Sequence, residues 1–403
     1  MTIAKGTAKQ VGYKKESAFG VLAGSSAGKL LRRVTASFNL TKDTYQSNEI
    51  RTDRQIADYR HGVRKAAGTL AGELSAASYA DFIGSVVARD FTAGVGSTGV
   101  SVTIAAAAGH TYTLTRAAGN FLTQGYKVGT VIRLTGVGLS AGNVDNNLLI
   151  TSVNDTVLTV VTLNNSSLTA EGPISSVDIT TVGKTTFVPS TGHTDQSYTI
   201  EEWYSDIAQS EVYTGMKVNS VAVKLPATGL STVDIGFAGK DMAQSGTTQY
   251  FSSPTAQGNT GIFAAVNGVM LIDGAPVALV TSADFTIDRA TENATAVGSN
   301  TVADIFSGRI RVSGNLSVYF QDATFRTYFD QEVPVSLVLV LTSDTSKSSD
   351  FVTFTLPKVK LGSFTKADGE LGIVAATSFQ ALLNETTTGG LPATTIAVQD
   401  SAI

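Results

Sequence analysis

Val34-Thr35-Ala36-Ser37-Phe38-Asn39-Leu40 and Val280-Thr281-Ser282-Ala283-Asp284-Phe285-Thr286-Ile287 are two versions of one short pattern. The second carries one more residue before its phenylalanine. Downstream, Ala57-Asp58, Gly62, Gly68 and Leu70 recur as Ala303-Asp304, Gly308, Gly314 and Leu316, at a constant offset of 246 (303 − 57). A duplicated unit places two copies of one fold in a single chain, so one chain does the geometric work of two subunits.

The copies agree beyond the motif. Phe38 and Leu40 alternate with polar neighbours, as in a half-buried strand. Leu70, Gly72 and Leu74 mark a second strand, matched by Leu316, Val318 and Tyr319-Phe320. Tyr79, Phe82, Ile83, Val86 and Val87 then fall at helical spacing, and Phe325, Tyr328 and Phe329 repeat that face. Ser78 with Asp81 three residues on predicts a capping box. Further along, Tyr213-Thr214-x-x-Lys217-Val218 resembles Phe354-Thr355-x-x-Lys358-Val359 at an offset of 141 (354 − 213). The drop of 105 (246 − 141) places an insert of that size between positions 83 and 213 of the first copy. Residues 100–180 carry short Val- and Thr-rich runs separated by turn signals, which predicts a small β-barrel or sandwich that projects outward.

The expected fold class is mainly β: two tandem β-sandwich units, each with a flanking helix, plus the inserted β-domain. The expected organisation is an extended arm over 1–32, a first unit over 33–95 and 187–243, and the insert over 96–186. A linker over 244–262 leads to a second unit with a C-terminal tail over 263–403. The arm is read as docking on a neighbouring subunit.

Composition narrows the function. The chain has 403 residues, 15% of them charged, with 39 Gly and a net charge of −4. Low charge density fits a surface covered by partners, and the acidic balance argues against a high-affinity nucleic-acid binder. There is no cysteine, and His61, His110 and His193 lack metal-ligand spacing. The N-terminus has no apolar signal region, and the longest apolar stretch, Val333–Leu341, is too short to span a bilayer as a helix. The expected chain is soluble and made in a cytoplasm. Gly24–Leu30 superficially resembles a phosphate loop but has Ala23 and Leu30 where Gly and Ser/Thr belong. Glu201 and Glu202 are adjacent on a strand edge, so they face opposite ways and cannot flank one bond. No active site, cofactor or metal is expected.

Residues 47–62 (Ser47-Asn48-Glu49-Ile50-Arg51-Thr52-Asp53-Arg54-Gln55-Ile56-Ala57-Asp58-Tyr59-Arg60-His61-Gly62) resemble the signature of a family of tailed-phage tail tube proteins. Gly68–Ser75 continues the likeness, and Gly125–Gly136 is similar to a small β-module found inside such proteins. The resemblance implies rings whose sandwiches share an inner β-barrel. Stacked, these rings form the hollow, non-contractile tail that conducts DNA from capsid to host. It implies a virion-tail protein assembled in the host cytoplasm. Its partners are itself, a tape-measure protein and DNA in the lumen, and terminator and tip proteins at the ends, with no membrane. If single-unit relatives form six-fold rings, a duplicated chain forms trimers; the alternative is a hexamer with one unit outside the tube. The loops 41–61 and 288–307 are expected to make ring contacts, with Glu49, Arg51, Asp53, Arg54, Asp58 and Arg60 as candidate inter-subunit residues. Without the resemblance, the composition suits a secreted β-repeat adhesin or carbohydrate-binding protein, a reading that the missing signal disfavours.

Overall fold

A computed structural model describes residues 3–403 except Gly109, Ala278, Gly369 and Thr387; Met1 and Thr2 of the N-terminal stretch fall outside it. β1 (Lys9–Lys15) and the short β2 (Lys29–Leu30) pair antiparallel. The segment expected as an extended arm therefore contributes strands to a sheet. Val11 and Tyr13 enter the core, while neighbouring lysines mask that alternation in the sequence. β3 (Thr35–Gln46) and β4 (Tyr59–Glu73) form a long hairpin with Phe38 opposite Gly68. A Cβ on Gly68 would lie 2.1 Å from the Phe38 ring, so the ring fills space that only glycine leaves.

α1 (Ala80–Val86) lays Phe82 against Tyr13, Tyr198 and Phe237, with ring separations of 4.9, 5.2 and 5.3 Å. The expected capping box does not form. Tyr79 is the N-cap, Ser78 bonds Ser75, and Asp81 accepts from Tyr13 and Lys29 instead. The insert comprises β5 (Gly96–Ala106), β6 (Thr111–Arg116), β7 (Val131–Gly136), β8 (Leu148–Val153), β9 (Val157–Thr162) and β10 (Glu171–Thr181). It closes as a six-stranded barrel in the order β9-β6-β5-β10-β7-β8 around its own apolar core.

The chain returns as β11 (Tyr198–Tyr204), β12 (Gln209–Pro226), β13 (Thr232–Gly239) and β14 (Asp241–Gly246). β12 serves two layers. Its first half pairs with β11 and β14 in an outer layer that includes β1 and β2. Its second half pairs with β13, which pairs with β4, in an inner layer. The β11–β12 register slips between Tyr198 and Ile200, beside Gly215 at φ +64°; this bulge lets one strand change layers.

The second unit repeats the scheme with β15 (Gly268–Ile272), β16 (Val280–Asp288), β17 (Arg311–Tyr319), α2 (Thr324–Asp330), β18 (Val335–Thr342), β19 (Phe351–Leu361), β20 (Thr365–Lys366), β21 (Val374–Ala381) and β22 (Ala397–Asp400). Phe285 faces Gly314 across β16–β17, as Phe38 faces Gly68. β19 is the counterpart of β12, pairing with β18 and β22 in the outer layer and with β21 in the inner one. α2 buries none of its residues fully; Phe325 and Tyr328 only lean on the core. Residues 247–262, in the stretch expected as a linker, fold back on the first unit: Phe251 is fully buried and its N–H donates to Glu201.

The barrel is inserted into the first unit but docks on the second. Val131, Leu149 and Leu163 pack on Leu271, Val338, Val340 and Phe351. Gln399 donates to the carbonyls of Val131 and Val182 and accepts from the Val131 N–H. β18 is thus buried on both faces, with Leu337, Leu339 and Leu341 in the sandwich and Val338 and Val340 under the barrel. That double burial explains the unbroken apolar run at 337–341.

Candidate assembly edges

The two inner layers are one sheet. Ser220–Pro226 of β12 pairs antiparallel with Ser282–Asp288 of β16, giving the order β3-β4-β13-β12-β16-β17-β21-β19, eight strands in all. The sheet's core-remote face carries small polar side chains, among them Ser37, Asn39, Thr69, Thr286, Ser313 and Asn315. Near its centre, Lys224 is held by Asp234 at 2.7 Å, with Asp284 beside them, so one base stands among two acids.

The sheet ends at β3 on one side and at residues 361–367, the end of β19 together with β20, on the other. At the β3 end, side chains occupy the backbone groups that point away from β4. Lys9 Nζ donates to the Ala36 carbonyl at 2.8 Å, and Tyr213 Oη stands 2.9 Å from both the Phe38 carbonyl and the Glu211 carboxylate, sharing its one proton between them. Glu202 accepts from the Phe38 N–H at 3.2 Å and pairs with Lys9 at 2.6 Å. Burial pushes the Glu202 carboxyl above the usual carboxylate range, against the opposing pull of Lys9. Glu201 points to the other face and accepts from Ser210 and the Phe251 N–H. The two carboxylates face apart, as expected. β11 is a central strand between β1 and β12, however, rather than an edge.

The hairpins of the two units differ beyond the sheet. β3–β4 pairing continues to Gln46–Tyr59 and carries the 47–58 loop outward. β16–β17 pairing stops at Asp288–Arg311, and residues 289–310 fold back onto the first unit. There Arg64 N–H donates to the Asn300 carbonyl at 2.7 Å. Lys217, 1% exposed, reaches Asp304 at 3.0 Å and the Ile305 carbonyl at 2.8 Å, and also pairs with Asp195. Sequence reasoning missed Lys217, because a lysine in a strand reads as a surface residue.

Of the six candidate contact residues, the structure joins Arg51 with Asp53 at 2.9 Å and Arg60 with Asp58 at 2.8 Å. Each arginine holds its partner's carboxyl below the usual range. The Glu49 N–H donates to Ser47 Oγ, and Arg54 adopts a left-handed backbone at φ +58°. All six are exposed, and the loop also presents Ile50 and Ile56 to solvent.

A cavity of about 360 Å³ lies between the barrel and the units, lined by Arg89, Lys127, threonines and glycines, with no carboxylate or histidine among the described residues of its wall. Gly24–Leu30 precedes no helix, and Lys29 pairs with Asp81. Among the described residues there is no cluster of metal-binding side chains, and no helix is long and apolar enough to cross a membrane.

A continuous sheet with two ends, a projecting hairpin and a closed barrel define a mainly β protein. The chain belongs to the phage tail tube protein family, whose model matches residues 6–381. The family is a structural rather than an enzymatic one, and it places the chain in the virion tail, where such proteins assemble into a tube with other tail components. No curated protein matches the chain.

Proposed function

We propose that three copies close into a ring by continuing the eight-stranded inner sheet, and that stacked rings form a tube through which DNA passes from capsid to host. The observation that carries this reading is the β12–β16 junction. It joins two repeats edge to edge inside one chain and leaves the counterpart of each joined edge free, β3 for β16 at one end and residues 361–367 for β12 at the other. Three copies contribute 24 strands. At a strand spacing near 4.8 Å and a tilt near 40°, such a barrel measures about 45–50 Å between backbones. That leaves room for a duplex, or for a tape-measure protein before it. Closure also removes both exposed edges.

The core-remote face becomes the lumen wall. Its small hydroxyl and amide side chains, with Lys224 neutralised by Asp234, offer phosphates little to bind, so DNA slides. The barrel insert sits on the opposite, outer layer. The 47–58 hairpin leaves the sheet along the strand direction. There Glu49, Arg51, Asp53, Arg54, Asp58 and Arg60 contact the next ring, while terminator and tip proteins meet the last rings. Assembly takes place in the host cytoplasm. Negative-stain microscopy of concentrated protein tests the reading: tubes support it, and persistent monomers contradict it.

A further inference from the structure

The two units differ at one telling place. Strand register aligns Glu202 with Leu341 and Tyr213 with Phe354, since Glu202 lies opposite Glu211 and Leu341 opposite Val352. The rings behave alike: Tyr213 packs on Phe38 and Phe354 packs on Phe285. The polar groups do not. In the second unit β16 pairs with β12 along its edge, and the aligned positions are apolar. In the first unit, among the described residues, no strand pairs with β3 on that edge, and the aligned positions carry a carboxylate and a hydroxyl that bond Phe38 N–H and C=O. Lys9 takes the Ala36 carbonyl in the same row. Polar side chains therefore stand where a strand would pair, which keeps an open edge from pairing indiscriminately.

We propose that this guarded edge of β3 docks residues 361–367 of a second copy with Phe364 opposite Phe38, and that Lys9, Glu202 and Tyr213 hold the edge until that segment replaces them. The proposal rests on the ring reading and adds its register. The internal junction sets it. Val223 faces Phe285 and Lys224 faces Asp284 across β12–β16. The repeat relations carry Val223 to Phe364, Lys224 to Thr365, Phe285 to Phe38 and Asp284 to Ser37. Residues 361–367 have β21 on one side, through Leu361–Phe379 and Thr365–Ala376, and need a partner on the other. The groups of Phe38 and Ala36 already point away from β4, so docking exchanges side-chain bonds for backbone bonds without re-aiming the strand.

The chain has no cysteine, so a Ser37→Cys, Thr365→Cys variant carries only the two thiols of interest. Both positions are exposed, and neither substitution disturbs the core. A non-hydrogen-bonded antiparallel pair brings Cα atoms within disulfide range. Oxidation of assembled tubes is expected to link copies into covalent ring-sized species on denaturing gels, while Asn39→Cys with Thr365→Cys, one pair out of register, links far less. Tubes that form but fail to cross-link at 37 and 365, or that cross-link equally at 39 and 365, overturn the register while leaving the ring reading standing. Failure of the unmodified chain to form rings overturns the ring reading itself. For the guard, Lys9→Met and Tyr213→Phe each remove the bond to the β3 backbone that must be exchanged, together with a contact to a glutamate, Glu202 and Glu211 respectively. Each is expected to lower the concentration at which tubes form by roughly two- to tenfold. Variants that fold, by circular dichroism, yet assemble at an unchanged or higher concentration refute the guard.

Discussion

Replacing Gly68 with alanine tests the contact on which the first hairpin is built. The added Cβ would sit 2.1 Å from one Phe38 ring carbon and 2.6 Å from the next. Phe38 is 2% exposed and packed against Tyr213 and Phe237, with ring centroids 5.9 and 5.5 Å away, so the ring cannot move aside freely. Overpacking of this kind costs about 1–3 kcal/mol. Alanine recovers roughly 0.5–1 kcal/mol of the backbone entropy that glycine loses in a strand. The expected net loss is about 1–2 kcal/mol, read as a lower urea midpoint of the unassembled chain with unchanged slope. Gly314→Ala is expected to cost more. Its Cβ would meet the Asp284 backbone carbonyl at 2.0 Å, which no side-chain rotation relieves. A double-mutant cycle isolates the cause: Phe38→Ala alone opens a cavity costing about 3–5 kcal/mol, but in the Gly68→Ala background the two losses are less than additive by about 1 kcal/mol or more. A Gly68→Ala chain as stable as the parent, or strictly additive losses, would refute this account of the repeat.

Lys217→Met leaves Asp304 without its ion pair and Asp195 with Arg289 alone, both carboxylates half-exposed, so the cost is about 1–2 kcal/mol, below that of a fully buried broken pair. Hydrogen exchange is expected to rise at residues 300–305 and not in the insert barrel. Burial pushes the Asp400 carboxyl up to about 6, despite hydrogen bonds from the N–H groups of Ala77 and Ala402. Because the folded value exceeds the unfolded one near 3.9, Asp400 favours folding most below about pH 4, and that contribution is lost as pH rises through 6. Asp400→Asn removes the charge but turns its NH2 toward one of those two N–H groups, so it is expected to raise the urea midpoint at pH 7.5 by less than about 3 kcal/mol of stability and to lower it at pH 4. Reversing Arg51 and Arg54 to glutamate is expected to leave the monomer's melting temperature unchanged, because both side chains are exposed, while blocking polymerisation; normal tubes from that variant would remove the loop from the interface.

Much of this architecture is legible in the sequence because its signals are steric. Phe38 with Gly68 and Phe285 with Gly314 mark the paired strands, and the change of offset from 246 to 141 marks the insert. The helix faces are legible as well, although α2 lies far more open than its spacing implies. Other features depend on tertiary context. Lysines at 9, 14 and 15 hide the alternation of β1, so a strand reads as an arm. Lys217 looks like a surface residue until residues 289–310 fold over it. The docking of the barrel onto the second unit leaves a trace only in the unbroken apolar run of β18, which a buried helix or strand would equally give. Of the candidate site, the charged loop is visible as a charge cluster. The β3 edge is not, because Glu202 and Tyr213 lie far from β3 in sequence and join Lys9 there only in the folded sheet.

Cryo-EM of the assembled tube measures the central claim directly. Continuing the internal β12–β16 pairing predicts three-fold rotational symmetry, six sandwich units per ring and an inner barrel about 45–50 Å across between backbones. A ring of six full chains, or a lumen wall to which only one unit of each chain contributes strands, would contradict it.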